Sequence, residues 1–192
     1  MFLFKNAALL IIDMQNDFVY NKKSPVYIPS AKKIIDNVIS AGKIFRKRRS
    51  RIIHIITSHP QDIKQCGYMD KKLDRYYCLE NSEGEKIIPE LLNKNKSDLV
   101  IRKRFYSGFY GTELLKNLRE KKITRLFFAG LTTGCCISST AREAYNYNFE
   151  LYFISDCMTS SLKSAHKSEL RFFQKSLGEV IELHYLRGKI NV

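Results

Sequence analysis

Ala7-Ala8-Leu9-Leu10-Ile11-Ile12 is an unbroken apolar run that stops at Asp13. No polar residue alternates within it, so both faces call for burial, as in a strand inside a parallel sheet. The same pattern returns at Arg51–Thr57, 99–101, Arg125–Gly130, 151–155 and 180–183, all rich in β-branched or aromatic residues. Between these runs the apolar spacing changes to three and four. Ile34, Val38, Ala41 and Phe45 define a helical face that Ser30 is placed to cap, and Thr112 precedes Leu114, Leu115 and Leu118. Segments 136–147 and 164–177 read as helices too, the second ended by Gly178, and 87–92 as a short one.

Six strands alternating with helices predict an α/β fold: a single three-layer α/β/α domain over 1–192 with a mostly parallel six-stranded sheet, because parallel neighbours need crossover connections. The widest gap, 58–98, reads mainly as surface loops. In open α/β sheets ligands bind beyond the carboxyl ends of the strands. Those ends carry Asp13, Thr57 to His59, Arg102 to Arg104, Gly130 to Cys136, and Asp156 with Cys157.

Composition narrows the class. Hydrophobic residues make up 44% of the 192 and aromatic residues 12%, which excludes a disordered or fibrous chain. At this length a chain buries roughly 70% of its unfolded surface and needs no disulfide or metal to hold a core. The longest apolar stretch is far short of the ~20 residues of a membrane helix. Residues 1–6 lack the pattern of a secretory leader, so a cytoplasmic protein is expected. The five cysteines, at 66, 78, 135, 136 and 157, form no C-x-x-C pair and are expected as thiols.

Lysine and arginine total 33 against 19 acidic residues, a net charge of +14. Six of these cations fall within 43–51. Such a cluster attracts phosphate, but it lies at a predicted helix C-terminus with one aromatic, Phe45, so nucleic acid is an unlikely partner.

Three strand ends together supply a carboxylate (Asp13), an ammonium (Lys103) and a thiol (Cys136). The stretch 130–136 runs from strand into helix, so a thiol in the first turn meets free N–H groups and the positive end of the helix dipole. A lysine nearby is expected to lower its pKa further, giving a thiolate able to attack a carbonyl. Asp13 can carry the proton and backbone N–H groups can receive the oxyanion. These are the parts of an acyl-transfer site.

The segments 10–18, 103–112 and 130–144, with Cys78-x-x-x-Ser82-x-Gly84-x-x-Ile87-x-Pro89-x-Leu91, resemble in order and spacing the motifs of the isochorismatase-like cysteine hydrolases. Ile154-Ser155-Asp156 followed by His166 extends the likeness over nearly the whole chain. The resemblance implies Asp13 as general base and acid, Lys103 as charged partner and Cys136 as nucleophile, with Cys135 a bystander. It implies a cis peptide at Leu131–Thr132 and an oxyanion pocket from the N–H groups of Thr132 and Cys136. Isochorismatase itself lacks the cysteine, so amide hydrolysis is expected. Nicotinamidase-like members bind a metal through an aspartate two residues before a histidine. Here Thr57 precedes His59 in that place, and no histidine follows before His166, so neither metal nor other cofactor is expected.

The likeness is strongest to the metal-free branch typified by N-carbamoylsarcosine amidohydrolase, which implies a small ureido or amide substrate, release of ammonia, and a homo-oligomer, dimer or tetramer. Carboxylate-binding relatives place an arginine after the Asp156 strand; here Arg102, Arg104 or Lys163 would have to serve. Phe18, Tyr106, Phe109 and Tyr110 are the candidate aromatic lining, and His59 reads as a wall residue. Two alternatives stand beside this: a nicotinamidase with an altered metal shell, and a non-catalytic nucleic-acid or anion-binding protein on the same scaffold.

Overall fold

The computed structural model describes residues 2–92 and 98–188. Within them six strands form one sheet: β1 (Ala7–Ile12), β2 (Arg51–Thr57), β3 (Leu99–Lys103), β4 (Arg125–Gly130), β5 (Glu150–Met158) and β6 (Glu179–Ile181). Their order is β3-β2-β1-β4-β5-β6 and every pairing is parallel. β1 lies between β2 and β4, and all six of its residues are buried. That position is what the unbroken apolar run requires. β3 is an edge strand, and Leu99, Val100 and Arg102 are exposed along it.

Seven α-helices flank or follow the strands: α1 (Asn16–Val19), α2 (Ile35–Lys47), α3 (Tyr68–Lys72), α4 (Leu114–Glu120), α5 (Ser138–Asn146), α6 (Lys163–Ser176) and α7 (Leu183–Gly188). Alternation along β1 sorts the core into two layers. Leu9 and Ile11 pack with Phe18 of α1, Val38 and Phe45 of α2 and Leu186 of α7. Leu10 and Ile12 face Leu114 of α4, Ala141 of α5 and Phe173 of α6 on the other side. The expected three-layer arrangement is present, and the sheet is wholly parallel.

Several local expectations are corrected. Ser30 caps no α-helix: Pro29 opens a 3-10 turn, Pro29–Ile34, before α2, and Ser30 Oγ instead lies 2.9 Å from Thr159 Oγ1. β6 ends at Ile181, because Leu183 starts α7 with its N–H on Asp156 Oδ1 at 2.9 Å. In 58–98 the structure adds α3, while the short helix expected at 87–92 is one 3-10 turn, Pro89–Leu91. Residues 93–97 of that gap lie outside the described residues. The helix expected from Cys136 is preceded by a π turn, Thr133–Ile137, in which the Ile137 N–H reaches Thr132 O at 3.2 Å.

The expected cis bond at Leu131–Thr132 is not found; no cis peptide occurs among the described residues. The bend is made one residue earlier. Gly130 adopts φ +106°, where a Cβ would stand 2.1 Å from the Ile12 carbonyl, and the Leu131 N–H then bonds to that carbonyl at 2.8 Å. Glycine accommodates this conformation without a side-chain clash, so the chain can turn with trans peptides throughout.

The basic run lies at the opposite, amino-terminal edge of the sheet, where β2 begins. Arg46 is paired with Asp98, and the Arg48 guanidinium sits 5.6 Å from the centre of the Phe4 ring. Two of its six cations are thus engaged within the fold.

Candidate active site

The parallel register brings three chemically active strand ends side by side. Thr57 and Lys103 are direct partners across β2 and β3. Asp13 follows β1, and its N–H bonds to Ile55 O at 2.8 Å. Its backbone is left-handed, φ +52°, a conformation aspartate tolerates better than most residues and which turns the carboxylate back over the sheet edge. The π turn after β4 delivers Cys136 to the same point. Asp13, Lys103 and Cys136, predicted from three distant segments, meet there.

The Lys103 ammonium has three neighbours: Thr57 Oγ1 at 2.7 Å, Asp13 Oδ2 at 3.1 Å and Cys136 Sγ at 3.4 Å. Asp13 Oδ1 accepts from both the Thr57 hydroxyl, at 2.9 Å, and the Thr57 N–H, at 3.1 Å. Oδ2 accepts no aligned hydrogen bond and has only the ion-pair contact with the ammonium. All four side chains are buried.

Burial pushes the Lys103 pKa down, but the Asp13 carboxylate and Cys136 outweigh it, and the ammonium is held above its ordinary value. Cys136 behaves against expectation. Its contact with the Cys135 thiol, burial and the Asp13 charge raise it well above the ordinary thiol range, while Lys103 pulls the other way. Cys135, hydrogen-bonded by Cys136, is lowered. The Lys103 charge, offset by its Asp13 neighbour, does not outweigh the Cys135 contact and the burial that hold the proton on Cys136.

Thr57, Lys103 and Cys136 form the floor of a cavity of about 480 Å³, while Asp13 is fully buried beside them. Phe18, Tyr106, Thr132 and Cys135 line it, with His59, which was read from the sequence as a wall residue. Two of the proposed aromatic residues do not. Phe109 is buried in the other core layer, its ring 5.3 Å from Tyr147 and 6.1 Å from Phe149. Tyr110 is 62% exposed and turns away to meet Phe105 edge-on at 5.2 Å. Arg104, Phe105 and Tyr106, the first residues after β3, all line the cavity, and the chain has left it by Phe109 and Tyr110. Of the cations considered for an anionic substrate, Arg104 lines the cavity, whereas Arg102 bonds to Glu85 Oε1 at 3.2 Å.

Sequence reasoning passed over part of the wall and its supports. Tyr77 stands 4.6 Å from His59, ring to ring, and Asp70 accepts from Arg75 at 2.9 Å and Tyr77 at 3.3 Å. Gln15 fastens the strand end: its Nε2 donates to the carbonyls of Thr57 and Glu85, both at 2.7 Å, and its Oε1 accepts from the Thr57 N–H at 2.8 Å. Gln15 lies inside a segment quoted for the family motifs, and Tyr77 directly precedes the Cys78 to Leu91 pattern. Asp70 and Arg75 have no local signal at all.

A metal does not suit these residues. His59 keeps Nε2 on the Arg104 carbonyl at 3.2 Å, burial lowers its pKa, and its Nδ1 has no partner. Its neighbour Asp70 is engaged by Arg75 and Tyr77, and no group of three His, Cys, Asp or Glu able to hold a metal occurs among the described residues. The oxyanion candidate fares better: the Thr132 N–H donates to no backbone carbonyl among the described residues. His166, the last element of the sequence likeness, has Nδ1 2.8 Å from Thr133 Oγ1 and ties α6 to the π turn that carries Cys136.

An all-parallel α/β sheet with a buried carboxylate, ammonium and thiol at its carboxyl edge defines a cysteine hydrolase of the isochorismatase-like type. The isochorismatase domain model matches residues 7–184, and the chain belongs to that family. It is an enzyme, a hydrolase of carbon–nitrogen bonds outside peptides. It is 29% identical to a nicotinamidase of Schizosaccharomyces pombe over 210 residues, covering 92% of this chain and 93% of that protein. An isochorismatase family protein of Bacillus subtilis, YwoC, is 28% identical, with 92% and 89% covered. Among solved structures, an isochorismatase-like hydrolase from Alkaliphilus metalliredigens superposes with a TM-score of 0.85 at 26% identity, covering 95% of this chain and 98% of that one. No helix among the described residues is long and apolar enough to cross a membrane.

Proposed function

We propose that this enzyme hydrolyses a small ureido or amide compound with release of ammonia, using Cys136 as nucleophile. The observation that carries this is the Lys103 ammonium held 3.1 Å from Asp13 Oδ2 and 3.4 Å from Cys136 Sγ on the cavity floor. Cys136 is the thiol that Lys103 contacts, which leaves Cys135 a bystander.

Asp13 takes the thiol proton as Cys136 Sγ bonds to the substrate carbonyl carbon. The carbonyl oxygen becomes an oxyanion received by the N–H groups of Thr132 and Cys136. When it collapses, the carbon–nitrogen bond breaks and Asp13 returns its proton to the leaving amine, leaving a thioester on Cys136. Water, deprotonated by Asp13, then attacks the thioester; the free acid or carbamate leaves and the thiol is restored. Lys103 stays charged throughout and balances the anion as it moves from Asp13 to sulfur and oxygen. Phe18 and Tyr106 border the substrate. The reading carries with it a cytoplasmic dimer or tetramer, which sedimentation and cell fractionation test.

The test is ammonia release across ureido acids and small primary amides, with and without chelator. Turnover that persists in chelator and disappears in Cys136→Ala supports the reading; turnover that survives Cys136→Ala overturns it. A second reading, an aromatic amide of the nicotinamide kind, is favoured by Phe18 meeting Tyr77 edge-on at 6.0 Å in the cavity wall. The same screen separates the two by which substrate turns over.

A further inference from the structure

We infer that Thr57 is a positioning residue for this reaction, its hydroxyl standing between Lys103 Nζ and Asp13 Oδ1 so that the ammonium faces Cys136 and Asp13 Oδ2, in contact with that ammonium alone, serves as the base. The inference rests on the reading of Cys136 as nucleophile and Asp13 as base.

A hydroxyl carries one proton and two lone pairs. Asp13 Oδ1, 2.9 Å away, takes the proton, and Lys103 Nζ donates to a lone pair at 2.7 Å. The direction is forced, since an ammonium cannot accept and an ionised carboxylate cannot donate. Two consequences follow. Oδ1 receives both the hydroxyl and the Thr57 N–H, at 2.9 and 3.1 Å, which stabilises its charge and leaves Oδ2 the more basic oxygen. The ammonium, anchored on Thr57, spans Asp13 Oδ2 at 3.1 Å and Cys136 Sγ at 3.4 Å instead of facing the carboxylate alone.

The support beneath Thr57 is independent of its hydroxyl. Its N–H and carbonyl are both clasped by Gln15, at 2.8 and 2.7 Å, and the Cα register with Lys103 is set by the sheet. Removing the hydroxyl therefore leaves the backbone in place and isolates what the oxygen does. The other charged or titratable groups acting on Asp13 or Lys103 are Cys136 with Cys135 from the nucleophile turn, and His59, Tyr77 and Cys78 beyond β2.

The experiment is the pH dependence of Cys136 alkylation by iodoacetamide, read by peptide mass spectrometry, in wild type, Thr57→Val, Thr57→Ser and Lys103→Met. The expected result is about tenfold slower alkylation in Thr57→Val near neutral pH, the scale of one hydrogen bond to a charged group, with most of the rate recovered in Thr57→Ser. With a substrate from the ammonia screen, the acid limb of kcat/KM moves to higher pH in Thr57→Val, and kcat falls more than KM rises. Thr57→Ala, which adds no bulk, replaces valine if that variant does not fold. A wild-type rate and profile in Thr57→Val, beside a shifted profile in Lys103→Met, overturns the inference alone. Equal losses in serine and valine also overturn it, by assigning the effect to packing of the methyl group. A Cys136 profile that ignores Lys103→Met overturns the nucleophile reading itself.

Discussion

The Thr140 hydroxyl donates to the Cys136 carbonyl at 2.7 Å and accepts the Gly108 N–H at 2.9 Å. One side chain thereby links the nucleophile turn to the loop after β3, which carries Tyr106 along the cavity. Thr140→Val is isosteric but leaves the Gly108 N–H buried without an acceptor, at a cost of about 1–3 kcal/mol. Urea denaturation is expected to show that loss. Ammonia release should fall about tenfold, because a turn displaced by a fraction of an ångström aims its thiol less well.

Lys103 and Asp13 form a buried ion pair whose halves depend on each other. Lys103→Met is expected to abolish turnover and to destabilise the fold by about 3–5 kcal/mol, since it leaves the buried Asp13 carboxylate without its counter-charge. The double variant Lys103→Met with Asp13→Leu removes the orphan charge and should recover much of that stability without activity. Urea midpoints for the four proteins of the cycle measure the coupling.

Because the Cys136 pKa is raised, its alkylation by iodoacetamide in the empty site should rise only at pH above the ordinary thiol value of about 8.5. Asp13→Asn removes a negative neighbour and moves the profile down; Lys103→Met moves it up. Cys78 and Cys157, raised chiefly by burial, should stay unlabelled in the folded protein. Peptide mass spectrometry resolves all five thiols. A raised folded-state pKa also has a linkage sign. The stability it contributes is fully present below the unfolded thiol value and is lost as pH rises toward the folded one, so these cysteines should lower the melting temperature in alkali.

Asp98 carries the opposite sign. Burial works to raise its pKa, but hydrogen bonds from His54 and Arg46 and the Arg46 charge win, bringing it down to about 2. Its contribution, about 2 kcal/mol, is present above the unfolded value near 3.8 and lost as pH falls through about 2. Melting temperatures between pH 4 and pH 2 should fall less steeply in Asp98→Asn than in wild type.

Much of this was legible in the chain itself. Short apolar runs without alternation, recurring between helical patterns, read as strands covered on both faces, so the sheet and its two helical layers follow from local pattern. The residues that end such runs must sit at the sheet's edge, which is why Asp13, Lys103 and Cys136 could be named before any coordinates. Motif order then gave the family.

Tertiary structure decided what depends on neighbours distant in sequence. Tyr106, Phe109 and Tyr110 are alike in type and nearly adjacent, yet one lines the cavity, one fills the core and one faces water, because their fates depend on which way the chain leaves β3. The bend after β4 depends on Gly130 fitting against the Ile12 carbonyl across the sheet, a contact 118 positions away in the chain. The pKa of Cys136 rises, against the sequence expectation, because the Cys135 contact, burial and the Asp13 charge together outweigh the pull of Lys103. Composition and spacing specify which groups are present; distance and dielectric, which only the packed fold supplies, determine the charge each one carries.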